Sequence, residues 1–151
     1  MENNKKPRIF IDKRGNWFQD GIKITHIWTY LSNNKNLDAD DKGNFFIDEG
    51  TGRFYVEVED TPFVVKMVYR NKDHFLIKLN DLTLEKLNFK TLFIGNENVL
   101  YVKVKNNKFD ARFTRAAYYE LMKNVAFENG NYFIENEGAK LTLKDESHKS
   151  I

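Results

Sequence analysis

The chain contains no cysteine. That single absence removes disulfides, thiol catalysis and cysteine-ligated metals together. It also lacks an excess of charge of one sign. Lys plus Arg number 24 and Asp plus Glu 22, for a net charge of +2. A dedicated duplex-DNA binder needs a strong basic surplus to displace counterions, so that class is set aside, while a local basic patch stays compatible. No apolar run approaches the length of a membrane span. Met1–Pro7 carries a basic element with no apolar stretch behind it, so a signal peptide is not read there and a cytoplasmic location is expected. There is no G-x-S-x-G, no phosphate loop, no dinucleotide fingerprint and no HExxH. His26, His74 and His148 are far apart and show no ligand spacing. Nothing points to a catalytic residue, a metal or a cofactor.

What is present is core material. Of 151 residues, 41% are hydrophobic and 15% aromatic, including thirteen Phe. That suffices for one domain or two small ones without metal or disulfide support. After a polar tail at 1–7, Ile9-Phe-Ile11 and Trp17-Phe18 read as short strands, and Asp20-Gly21 reads as a hairpin turn. Ile24, Ile27, Trp28 and Leu31 then follow helical spacing and predict a helix near 25–34. Phe54, Val56 and Val58 alternate in a strand that Asp60-Thr-Pro62 breaks. From Phe63 to Lys105 a meander of strands is expected. A second helix is expected over about 111–124, capped by Asp110, with Phe113, Ala117, Leu121 and Val125 on one stripe and Asn129-Gly130 ending it. A last hairpin uses Tyr132–Ile134 and Lys140–Leu143.

Two stretches match. Gly43-Asn-Phe-Phe-Ile-Asp48 aligns with Gly130-Asn-Tyr-Phe-Ile-Glu135. Each is preceded by a helix and followed by a glycine turn and a strand, so the element order repeats and a duplication is inferred. The fold class expected is α+β, a duplicated and mostly antiparallel β core with one helix per half. The divisions are a mobile tail 1–7, an N-terminal half 8–62, a C-terminal half 63–145 and a frayed tail 146–151. The seam between duplicated halves is a natural place for a ligand cleft.

Three residue groups invite a chemical reading. Asp38, Asp40, Gly43 and Glu49 fall on positions of a calcium loop. Lys42, however, stands on a ligand position and a strand follows Glu49, so no calcium binding is expected. Glu59 and Asp60 are adjacent on a strand, point to opposite faces and cannot flank one bond as an acid/base pair. Arg112 and Arg115, three apart on the expected helix, stand among Tyr101, Tyr118 and Tyr119. Arginine with aromatics suits a phosphate with a ring stacked beside it. The same arginines could instead be ion-paired with Glu59, Asp60 or Asp110. The division expected is Arg115 with the acids and Arg112 freer.

Three segments together resemble the domain of unknown function 1285 family of bacterial proteins. Gly15-Asn-Trp-Phe-Gln-Asp-Gly-Ile-Lys-Ile24 is similar to its opening G-x-W-x-x-x-G-x-x-I. Val58-Glu-Asp-Thr-Pro-Phe63 is similar to its central V-E-D-x-P-F. Tyr101-Val-Lys-Val104 with Phe109–Leu121 is similar to its helix-entry block. The chain departs from the pattern at Glu49–Arg53, which lacks the family's Thr-Pro, and at Lys105, where arginine is common. The resemblance implies a duplicated core with a C-terminal half loosely like a pleckstrin-homology domain. It also implies a ligand-binding or signalling role, with a cleft between the halves for a nucleotide-like ligand. No catalytic residue is carried over. The candidate ligand contacts are Arg112, Arg115, Tyr101, Tyr118, Glu59, Asp60 and Trp17. The expected partner is a nucleotide-like small molecule. The alternative is a protein partner, met through a strand edge or aromatic patch. Neither duplex DNA nor a membrane is expected as a partner.

Overall fold

A computed structural model describes residues 6–142. The tails expected at 1–7 and 146–151 fall largely outside this range, as do His148 and the end of the last hairpin at Leu143. The chain divides into two compact units, Met1–Pro62 and Phe63–Ile151.

The first unit runs β1 (Ile9–Ile11), β2 (Trp17–Gln19), β3 (Ile22–Lys23), α1 (Ile27–Asn36), β4 (Leu37–Ala39), β5 (Phe45–Asp48) and β6 (Arg53–Val58). Its strands form one six-stranded sheet in the order β3-β2-β1-β6-β5-β4. Every pairing is antiparallel except the central one, where β1 lies parallel to β6 with Ile11 opposite Val58. Two antiparallel meanders are thus joined along their first and last strands. The connection between the meanders passes through α1, since parallel neighbours need a long crossover.

The second unit begins with β7 (Phe63–Asn71), β8 (His74–Leu79), β9 (Leu84–Lys86), a 3-10 turn (Phe89–Thr91), β10 (Phe93–Ile94), a second 3-10 turn (Asn96–Asn98), β11 (Leu100–Val104) and β12 (Phe109–Phe113). These six strands take the order β10-β11-β12-β7-β8-β9. Again the one parallel pair is central, β12 beside β7, with Phe113 opposite Val65. The two sheets are therefore duplicates in strand order and pairing sense, within an α+β chain. α2 (Arg115–Met122) follows, then a three-stranded sheet of β13 (Val125–Glu128), β14 (Asn131–Asn136) and β15 (Ala139–Thr142).

Strands of the second sheet alternate closely. In β8, β11 and β12 every second residue is buried, the mark of a half-wetted antiparallel sheet. The cores are Ile9, Ile11, Trp17, Phe46 and Ile47 in the first unit, and Phe63, Val65, Phe75, Leu79, Val102 and Phe113 in the second. Ala117 and Leu121 of α2 are buried in the second unit. Full burial of one such leucine is worth about 1.5–3 kcal/mol. The three-stranded sheet is tied to its own unit by polar contacts. Arg70 Nη1 donates to the Glu135 carbonyl at 3.0 Å, the Glu137 amide donates to the Asp73 carbonyl at 2.6 Å, and Lys86 pairs with Glu137 at 2.6 Å.

Three expectations need correction. The helix expected from about 111 begins at Arg115, because Phe109, Ala111 and Phe113 alternate as a strand. Thr114, not Asp110, caps it, its side chain accepting from the Ala117 amide at 3.1 Å. The same helix ends at Met122, where the Asn124 side chain donates to the Glu120 and Leu121 carbonyls. Val125 then starts a strand, and Asn129-Gly130 turns it into β14 with both residues at positive φ, the geometry an Asn-Gly hairpin favours. On α1, two members of the apolar stripe face outward: Ile27 is 50% and Trp28 72% exposed. Its inward side is Tyr30, Leu31 and Asn34, with the Tyr30 hydroxyl donating to the Gly15 carbonyl at 2.7 Å.

The repeat also has a different frame. The two G-N-aromatic-F-I stretches do sit alike, each in the middle strand of the meander that follows its helix, β5 and β14. In the duplicated sheets, however, the place of α1 between meanders is taken by the 3-10 turn at Phe89–Thr91, and α2 lies after the second sheet.

Candidate functional site

The acidic loop resolves into a hairpin turn. Asp40 Oδ1 accepts the amides of Lys42 and Asn44, each at 2.9 Å, and Oδ2 accepts the Asn44 side chain. Asp12 does the same in the turn between β1 and β2, accepting the Arg14 and Asn16 amides at 2.9 Å and the Asn16 side chain. Both turns read Asp-x-x-Gly-Asn. The Asn44 amide holds the Asp40 carboxyl below the ordinary carboxylate range. Its oxygens are thus committed to the turn. Among the described residues no group of three or more acidic or histidine side chains is placed to hold a metal ion.

The exit of β12 is where candidate residues converge. β12 carries Arg112 directly opposite Tyr101 of β11 and Val64 of β7. The ladder continues one residue further, through the Thr114 amide to the Val65 carbonyl at 3.0 Å. Thr114 then caps α2 and Arg115 is its first residue. The amides of a helix's first turn have no intrahelical acceptor, and Thr114 takes only that of Ala117. A pocket of about 260 Å³ opens here, lined by Arg112, Thr114, Arg115, Tyr118 and Tyr119, with Glu97 on its wall. Arg112 is half-buried; Arg115 is exposed and, among the described residues, pairs with no carboxylate. The rings of Tyr118 and Tyr119 meet edge to face at 5.5 Å.

Of the seven candidates, Arg112, Arg115 and Tyr118 therefore line one pocket, wholly inside the second unit. Tyr101 stands beside it, its ring stacked on Phe93 at 5.1 Å. A Cβ on Gly95 would lie 2.8 Å from the Tyr101 ring, so only glycine leaves the ring in place. Glu59 and Asp60 belong to the first unit and are exposed. The Glu59 carboxylate accepts the Lys13 amide at 2.8 Å. Trp17 is corrected from a ligand contact to a core residue, being 0% exposed. The two arginines do not share a helix face, since Arg112 is on a strand, and Arg115 rather than Arg112 is the exposed one. Glu97, Thr114 and Tyr119 are among the lining residues that the sequence did not mark as ligand contacts. Thr114 was legible as a capping residue before Arg-Ala-Ala; nothing marked Glu97.

Two guanidinium groups against one carboxylate, beside a helix start and two phenol rings, can hold a small anion attached to a planar body. Among the described residues no helix is long and apolar enough to cross a membrane.

No family profile matches the sequence, and no curated protein does. Solved structures do. A protein of the DUF1285 family from Silicibacter pomeroyi DSS-3 is similar with a TM-score of 0.75 and 16% identity, over 97% of this chain and 84% of that one. A DUF1285 family protein from Shewanella baltica OS155 is similar with a TM-score of 0.64 and 18% identity, over 78% of this chain and 91% of that one. The resemblance read from three sequence blocks is thus met by the structure: this chain has the fold of DUF1285 family proteins.

Proposed function

We propose that this protein is a non-enzymatic ligand-binding or signalling module whose second unit takes a small anionic, nucleotide-like molecule at the amino end of α2. The observation that carries this reading is the meeting of Arg112, exposed Arg115 and two tyrosines in one pocket. The guanidinium forks suit phosphate oxygens, and a phenol ring suits a base or other planar group. A thermal-shift screen with nucleoside monophosphates, pyrophosphate and sulfate tests it. A ligand at 100 times its Kd adds about 2.7 kcal/mol of stability. At least one phosphorylated compound should raise Tm saturably, and Arg115→Ala should diminish the effect. No shift with any of them refutes the reading.

A protein-interaction role is the second reading, supported by a separate observation in the first unit. Ile22, Ile27 and Trp28 are 74%, 50% and 72% exposed, and large apolar side chains left in solvent within a few residues of one another are candidates for a partner's surface. A phosphate-independent partner whose capture is lost in Trp28→Ala would favour it.

A further inference from the structure

A second cavity, of about 600 Å³, lies in the second unit between the segment after β9 and the β14–β15 hairpin. That volume is within the range of small-molecule sites. It shares no lining residue with the arginine pocket. Leu87, Phe89 and Leu141 give it apolar walls, and Lys86, Lys90 and Asn136 give it polar points. Lys86 is neutralised by Glu137 at 2.6 Å. Lys90 is exposed and, among the described residues, has no carboxylate partner.

Asn136 is the unusual member. It is only 9% exposed, and its Oδ1 is buried with no hydrogen-bond donor. Among the described residues its side-chain carboxamide makes no hydrogen bond. A buried carboxamide without partners costs stability, and leucine at that position would close the wall of the cavity without that cost. Such a group, kept at the edge of a cavity, is what a ligand's own donor would satisfy.

We propose that this cavity binds an amphipathic monocarboxylate that carries one N–H or O–H donor. Its apolar body lies against Leu87, Phe89 and Leu141, its carboxylate meets the Lys90 ammonium, and its donor completes the Asn136 amide. This site is independent of the anion pocket at α2, where the polar groups are guanidinium and the ring partners are tyrosines.

Indole-3-acetate is a suitable probe, with a planar apolar body, one N–H and one carboxylate. It is titrated into the full chain and followed by amide NMR shifts. The expected result is saturable one-to-one binding, with shifts at residues 86–90 and 136–141. Lys90→Ala should weaken it several-fold without lowering Tm. Asn136→Leu should abolish it while raising Tm, because the unpaired amide is gone. Decanoate, which has the carboxylate and the apolar body but no N–H or O–H donor, should bind more weakly than indole-3-acetate. The proposal is overturned if indole-3-acetate does not saturate at millimolar concentration, or if its shifts fall elsewhere. It is also overturned if both variants bind as the parent does, or if decanoate matches indole-3-acetate.

Discussion

The two six-stranded sheets are the same construction with different charges at one point. In the first, β6 lies beside β1 and the ladder runs on through the Glu59 amide to the Ile11 carbonyl at 2.9 Å. In the second, β12 lies beside β7 and the ladder runs on through the Thr114 amide to the Val65 carbonyl at 3.0 Å. Register then equates Glu57 with Arg112, Glu59 with Thr114 and Asp60 with Arg115. The exit of the last strand is acidic in one copy, and cationic and followed by a helix in the other. In the first copy Glu57 is engaged by Arg8 in an exposed bidentate pair, with nitrogen–oxygen distances of 2.8 and 2.9 Å. The backbone was kept where the ladder demands it, and side chains facing outward diverged.

The inward positions of this frame should show the largest effects. Trp17, opposite Ile11, corresponds to Leu79, opposite Val65; all four are 0% exposed. Trp17→Ala is expected to cost about 3–5 kcal/mol and Leu79→Ala about 2–5 kcal/mol, measured by urea denaturation. Trp17→Phe should cost less than Trp17→Ala, because both remove the buried, unpartnered indole Nε1–H but phenylalanine still fills most of the space. A cheap Trp17→Ala would return that residue to the list of surface contacts.

A smaller difference separates the ion pairs. In the second unit Lys105 Nζ meets Asp81 at 2.7 Å, with the Asp81 side chain 6% exposed. Lys105→Met leaves Asp81 Oδ2 without its donor, while Thr83 still holds Oδ1, and should cost about 1–3 kcal/mol. The first unit's Arg8–Glu57 pair is exposed on both sides. Exposed pairs contribute little, so Arg8→Ala should leave Tm nearly unchanged. Equal losses in the two variants would contradict the burial argument.

Smaller still is a pair of opposed pH dependences. The folded state holds the Asp40 carboxyl low, chiefly through the Asn44 amide. Its contribution is therefore full above the ordinary carboxylate pKa and is lost as pH falls through the depressed folded value. Burial pushes the Glu85 carboxyl up, with the Lys105 amide opposing. Its contribution is full at low pH and is lost as pH rises through the raised value. Melting curves between about pH 3 and pH 7 should show Asp40→Asn less sensitive to acid than the parent. Glu85→Gln should be less sensitive to the rise toward neutrality. Reversed signs in either variant would refute the assignment.

The sequence was a good guide to local pattern and a poor one to pairing. Alternation and turn residues placed most strands from Phe63 to Val104, and the blocks at Gly15–Ile24, Val58–Phe63 and Tyr101–Leu121 pointed to the right fold. Helix periodicity found α1 but not its inward face, because the Tyr30 hydroxyl anchors that face to the Gly15 carbonyl and Asn34 is buried on it, and hydropathy registers neither. Strand and helix merged at Phe109–Leu121, where Phe113 fits both periods and only Thr114 marks the boundary. The parallel seams β1–β6 and β7–β12 were invisible, since each joins residues some fifty apart in sequence. The same long-range pairing is why Arg112 and Arg115 were legible as candidates while the copy-to-copy exchange with Glu57 and Asp60 was not.

The claim that the cationic exit of the second sheet is an anion site is tested most directly by calorimetric titration of adenosine monophosphate into the parent and Arg115→Ala. Arg115 is exposed, so its removal should leave Tm unchanged, while one-site saturable binding seen in the parent is lost. Equal affinity in both proteins, or a lower Tm in Arg115→Ala with binding intact, would contradict the account.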